Sequence, residues 1–134
     1  MGKNLAWSWV ENFYVGVHTA NTPFTQEWEA MISEINARKF SGSLIYTEGG
    51  APSALQRKQL RDTIGQTPMN TAVLTNSSIA RTAITALNLF MRNPVRAFPP
   101  NDLEAALQYV QAPPRLWPTM KQELYALKQQ LGLL

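Results

Sequence analysis

The sequence predicts an α/β domain on a mixed, largely parallel sheet, and three observations carry that expectation. Between Phe40 and Val110 a short apolar run ends in a turn and a helical stretch follows, three times in succession. The runs are Ser43-Leu44-Ile45-Tyr46, Ala72-Val73-Leu74 and Val95-Arg96-Ala97-Phe98, and the turns are Glu48-Gly49-Gly50, Asn76-Ser77 and Pro100-Asn101. Serial strand-turn-helix units are the pattern of βαβ crossovers. Ahead of them, two period-two runs flank a polar pair, the pattern of an antiparallel hairpin. Ligands and partners of parallel sheets meet the loops after the strands' carboxyl ends, so the functional surface is located before any activity is known.

The elements follow in order. Leu5, Trp7 and Trp9 alternate with Ala6 and Ser8, Glu11-Asn12 interrupts, and Phe13, Val15 and Val17 alternate with Tyr14, Gly16 and His18. After the Asn21-Thr22-Pro23 loop, Thr25 is the expected cap of a helix whose Trp28, Met31, Ile32 and Ile35 share one face. Ala51 to Ile64 reads as a second helix with Pro52 in its first turn and Gly65 past its end. Its apolar stripe is thin: Leu60 and Ile64 face one way, Arg57, Lys58 and Arg61 hold a flank, and Leu55 points nearly opposite. Ser77 to Met91 is expected to bury Ile79, Ala83, Ile84, Leu87 and Phe90. Asn101 with Glu104 has the form of a capping box before Leu103, Ala106, Leu107 and Val110. Three prolines between Ala112 and Pro118 break the pattern. Thr119 with Gln122 then suggests a capped tail helix with a stripe of Met120, Leu124, Leu127 and Leu131, to be covered by its own sheet or by a second copy in a homodimer.

Composition narrows the class. The 134 residues are 45% apolar and 16% charged, the balance of one globular domain over 1–134, with its core in 5–111 and a helical extension over 113–134. A net charge of +3 from scattered basic residues is too thin a field to predict nucleic-acid binding. There is no cysteine, which removes disulfides, thiolate metal sites and cysteine nucleophiles together. No apolar run of signal-peptide length follows Met1-Gly2-Lys3-Asn4, and none reaches membrane-spanning length, so the expectation is a cytoplasmic chain without membrane insertion.

The residues with chemical potential are sparse. Glu48 stands at a strand's carboxyl end, but general acid–base work needs a second group and the single histidine, His18, lies in another strand. An enzyme is therefore not expected, and neither a cofactor nor a metal site. Gly49-Gly50 before a helix could cradle a phosphate, yet neither a P-loop Lys nor a GxGxxG pattern accompanies it. Arg57, Lys58 and Arg61 beside Leu55 read either as a solvated helix face or as an interface. Trp7 and Trp9 are expected to fill the core or to lie under the tail helix.

Several segments together resemble the SpoIIAA-like, STAS-like family related to anti-sigma-factor antagonists. They are Val17-His18-Thr19 with Pro23 and Glu27-Trp28, Thr47-Glu48-Gly49-Gly50-Ala51-Pro52-Ser53 with Gln56-Arg57, Val73-Leu74-Thr75-Asn76-Ser77, and the run from Arg96 to Leu107. The resemblance implies a non-enzymatic signalling or protein-interaction module. In the antagonists a partner kinase phosphorylates a Ser at the start of the second helix, within an Asp-Ser-Ser-Gly pattern. Here the matching stretch is Glu48-Gly49-Gly50-Ala51-Pro52-Ser53, which lacks that pattern but keeps Ser53 as a candidate phosphosite. The implied partner is another protein, a kinase or regulator, and the expected contact residues are Glu48, Gly49, Gly50, Ser53, Leu55, Arg57 and Arg61. The alternative is a small-molecule or lipid-binding domain with an apolar cavity lined by Trp7, Trp9 or Phe13.

Overall fold

The computed structural model describes residues 3–89 and 91–134. Met1, Gly2 and Phe90, which entered the leader and third-helix expectations, lie outside them. The hairpin pairs β1 (Leu5–Val10) with β2 (Phe13–His18), antiparallel, Val10 opposite Phe13. Then follow α1 (Thr25–Asn36), β3 (Gly42–Thr47), α2 (Ala54–Ile64), β4 (Asn70–Leu74), α3 (Ser78–Asn88), β5 (Val95–Phe98) and α4 (Leu103–Tyr109). A 3-10 turn over Pro114–Leu116 leads into α5 (Trp117–Gln130). The sheet runs β1-β2-β3-β4-β5, with β2 to β5 parallel.

Strand order never reverses, and this decides the layers. Right-handed crossovers that always step the same way carry α1, α2 and α3 to the same face of the sheet. The fold therefore has no switch-point crevice of the doubly wound kind. Strand alternation divides the side chains. Phe13, Val15, Val17, Leu44, Leu74 and Phe98 pack with α4 and α5, while Tyr14, Ile45, Val73 and Val95 lie on the side of α1 to α3. No helix among the described residues is long and apolar enough to cross a membrane.

Several helix starts differ from expectation, for local reasons. Thr25 is the first helical residue; the cap is Phe24, whose N–H donates to Glu27 Oε1 at 3.0 Å. The other oxygen of Glu27 accepts from the N–H groups of Asn4 and Leu5, which ties β1 to α1. The second helix begins at Ala54 rather than Ala51, so Pro52 precedes it and Ser53 caps it. In α3, Ser77 is the cap and accepts from the Ala80 N–H at 3.2 Å. Ala80, Ile84 and Leu87 then follow the inward spacing, and Ile79, one residue and about 100° away, is 69% exposed instead of buried. Asp102, not Asn101, precedes α4. Thr119 lies inside the first turn of α5, because Pro118 is accommodated at that helix's start where no N–H is required.

The tail is covered by its own sheet. Met120, Leu124 and Leu127 are buried against the core that includes Val15 and Val17. Ser8 donates to Glu123, and Arg115 pairs with Glu11 in the hairpin turn at 2.7 Å. Trp7 and Trp9 lie on the opposite face from the tail helix, partly buried toward α1. The Trp9 indole donates to Glu34, and the Arg38 guanidinium sits 4.3 Å over its ring.

Candidate functional site

The loop after β3 is built by one hydroxyl and two glycines. Thr47 Oγ1 accepts from the Gly49 N–H at 3.1 Å and donates to the Gly50 carbonyl at 2.9 Å. Gly49 has φ +130, a conformation that other residues rarely adopt. A Cβ on Gly50 would stand 2.3 Å from the Asn21 carbonyl oxygen and 2.4 Å from that of Thr19. The Gly50 N–H donates to Thr19 at 3.0 Å. The close approach that a Gly-Gly pair permits is thus taken by the chain's own 19–21 segment.

Ser53 and Gln56 form a full capping box. The Ser53 hydroxyl accepts from the Gln56 N–H at 3.1 Å, and Gln56 Oε1 accepts from the Ser53 N–H at 2.9 Å. Gln56 Nε2 then donates to the Pro23 carbonyl at 2.9 Å, locking α2 to the loop before α1. Thr47 and Gln56 entered the sequence reading only within the segments that carry the resemblance, and neither was given a role. The Ser-x-x-Gln spacing was the available signal for the part Gln56 plays, while no local pattern signals the bonds of Thr47.

The expected contact residues separate. Gly49, Gly50, Ser53 and Arg57 gather around this loop, and Arg57 donates to the Pro52 carbonyl at 2.8 Å. Leu55 points outward, 66% exposed. Arg61 is half-buried in the last turn of α2, where a cation complements the helix dipole. Glu48 goes to the other face of the sheet, its carboxylate beside the Tyr46 hydroxyl. Burial first and this carboxylate second push the Tyr46 phenol up to about 12. Lys128 of α5 sits 3.9 Å over the Tyr46 ring. Its ammonium is pushed down by burial, against the pull of Glu48.

Glu48 and His18 approach only through their backbones. The Glu48 N–H donates to the His18 carbonyl at 3.1 Å. His18 pairs with Thr47 in the parallel ladder, and both side chains face α1 to α3. Glu48, the next residue, alternates to the opposite side.

Between the sheet and α1 to α3 lies a cavity of about 100 Å³. His18, Trp28, Thr47 and Arg57 line it toward the strands' carboxyl ends, and Met31 and Phe40 toward the other. The remaining lining is mostly aliphatic. Ser43 and Thr71 also reach it, but their hydroxyls satisfy each other at 2.6 Å. Two of the lining residues hold a buried nitrogen that is not satisfied: His18 Nδ1 and Trp28 Nε1 have no hydrogen-bond partner among the described residues. Their rings lie 6.5 Å apart and are 6% and 2% exposed. Burial pushes the imidazole down to about 4, Glu27 pulling weakly the other way, so His18 is neutral near pH 7. The cavity is not lined by Trp7, Trp9 or Phe13, the residues expected to mark it. Phe13 belongs to the α4 and α5 side, and the tryptophans sit nearer the hairpin edge. No family model, curated protein or solved structure matches the chain.

Proposed function

We propose that the chain is a cytoplasmic, non-enzymatic protein-interaction module of the SpoIIAA-like, STAS-like kind. The contact surface is the loop over 47–53 with the first turns of α2 and α3. The observation that carries this reading is the pair of outward apolar side chains there, Leu55 and Ile79, on helices whose inner faces are already committed. The loop before α2 lies against the start of α3, since a Cβ at Gly49 would meet Ser77 Oγ at 3.1 Å. Arg57 and Arg61 add positive charge on α2, which suits a partner with an apolar patch and an acidic rim. Ser53 is the hydroxyl at which a kinase partner would act, and a phosphate there would sit at a helix N-terminus beside Leu55.

Support for a non-enzymatic reading comes from the divergence of His18 and Glu48 to opposite faces. The test is affinity capture from the native host with the full chain, repeated with Leu55→Asp and Ile79→Asp. A captured protein lost by both variants at unchanged melting temperature is the expected result. Capture that survives both substitutions rejects the surface, and substrate turnover abolished by Glu48→Gln rejects the non-enzymatic reading. A second reading, small-molecule binding, is favoured by one observation: the mostly apolar cavity of about 100 Å³ between the sheet and α1 to α3.

A further inference from the structure

The two edges of the sheet are finished differently. β5 is four residues long, stands between Pro94 and Pro99, and carries the exposed Arg96. The Asn88 side chain takes both backbone groups of Val95, donating to its carbonyl at 2.9 Å and accepting from its N–H at 2.7 Å. Short strands, prolines, charges and local covers are what keep a sheet edge from pairing with another chain. The opposite edge, β1, has six residues, Leu5-Ala6-Trp7-Ser8-Trp9-Val10, with neither a charge nor a proline.

The register shows which backbone groups of β1 face out. Bonded and non-bonded pairs alternate along an antiparallel ladder. The Thr19 N–H donates to the Asn4 carbonyl, so Asn4, Ala6, Ser8 and Val10 turn their N–H and C=O groups toward β2. Leu5, Trp7 and Trp9 turn theirs to the open edge. Glu27 takes the Leu5 N–H at 3.1 Å. Among the described residues nothing takes the N–H and C=O groups of Trp7 and Trp9.

We infer that β1 pairs with β1 of a second copy, antiparallel about a twofold axis at Ser8, so that one sheet runs through a homodimer. This register sets Trp7 of one copy opposite Trp9 of the other, twice. Two such pairs with two N–H···O=C bonds each use every free group of Trp7 and Trp9 and no other. A register centred on Trp7 would call instead on the Leu5 N–H that Glu27 already holds. The half-buried Trp7 and Trp9 then continue across the seam as one aromatic row.

The charges of α1 select a second copy over a strand of another protein. α1 runs alongside β1, with Glu27 at Leu5 and Glu34 held by the Trp9 indole. The twofold lays the two α1 helices antiparallel on one face of the joined sheet. Glu27 and Glu29 near the start of one then approach Arg38 and Lys39 past the end of the other, opposite charge toward opposite charge. The strand order keeps the seam away from α3 and leaves Leu55 and Ile79 outward.

Sedimentation velocity of the full chain from micromolar to submillimolar concentration is the first test, and a species of twice the 15.0 kDa of one chain is expected at the upper end. Trp7→Pro and Trp7→Ala remove the same indole, but only proline removes the outward N–H, at an edge position that tolerates it. The proline variant is expected to dimerise at least about tenfold more weakly than the alanine variant. Ser8→Cys adds the chain's sole thiol. Facing Cα atoms of a non-bonded pair, about 4.5 Å apart, are within disulfide reach. Mild oxidation is expected to link Ser8→Cys into dimers, while Gln66→Cys, exposed in the turn before β4, stays unlinked. A monomer throughout the concentration range overturns the inference and leaves the edge to a strand of another protein. A dimer equally stable in the proline and alanine variants, or one that Ser8→Cys does not link, also overturns it, because its interface is then elsewhere. If Trp7→Pro does not fold, or both variants are monomeric, oxidation of Ser8→Cys decides alone.

Discussion

Both faces of the sheet are covered by helices, three on one and two on the other, but they are packed to different standards. On the α4 and α5 side, Val15, Val17, Leu44, Leu107 and Met120 are fully buried, and the apolar set is continuous from β1 to β5. On the α1 to α3 side the apolar residues divide into two clusters, with the cavity bordering both and His18 and Trp28, among its lining residues, each holding an unpartnered nitrogen. Natural interiors are close-packed and their buried polar groups paired. One face obeys both rules and holds the domain together, while the other relaxes both at one place.

The comparison is broken most severely by removing the tail. Deleting residues 113–134 uncovers the better-packed face, and losing the burial of Met120, Leu124 and Leu127 alone costs about 6 kcal/mol. Loss of a cooperative unfolding transition, or aggregation on size-exclusion chromatography, is expected. A truncated chain that stayed free of aggregates with an unchanged melting temperature would show that α5 is not part of the core.

Acid should act on the other face. The folded-state pKa of His18 lies below its ordinary 6.5, at about 4, so between those values the unfolded chain takes up a proton that the folded chain refuses. Stability from this group is complete above about pH 6.5 and is lost as pH falls toward 4, by roughly 3 kcal/mol in all. Glu27 on α1 opposes the shift, and Arg57 on α2 is the cation on the same wall. Chemical denaturation at pH 7 and pH 4.5 measures the slope. His18→Phe should flatten it, and an unchanged slope would show that His18 takes up its proton equally in the folded and the unfolded chain.

A matched pair sharpens the contrast further. Val15→Ile and Val73→Ile add the same methylene, the first to a residue with no exposure and the second to the cavity wall. Overpacking should cost the first about 1–3 kcal/mol. Cavity filling should leave the second neutral or stabilise it by about 1 kcal/mol. Equal penalties in urea unfolding would mean that both faces are packed alike. The smallest effect belongs to the outside of the α1 to α3 layer, where Leu55→Asp should change stability by no more than about 0.5 kcal/mol. A larger fall would make Leu55 part of the core.

The sequence alone determined the hairpin, the three strand-helix units and the inward stripes of α1 and α5, because each is a local period written over consecutive residues. It also gave Leu55 its outward direction, since Leu60 and Ile64 fix the face of α2. Helix starts were less legible: Ser53, Ser77 and Asp102 compete with neighbours of similar chemistry, and docking decides which of them bends the chain. Ile79 was misread because α3 docks the face of Ala80, Ile84 and Leu87, from which Ile79 stands about 100° away. Only the tertiary structure decided that Glu48 joins Tyr46 and Lys128, that Gly50 packs against residues 19–21, and that His18 meets Trp28 beside a cavity. None of these meetings is encoded in a local period: Lys128 and residues 19–21 come from segments distant in the chain, and His18 and Trp28 are brought together by the turn between β2 and α1. Periodicity tells which way a side chain points from its own element, and the one-way order of the strands determines what it finds there.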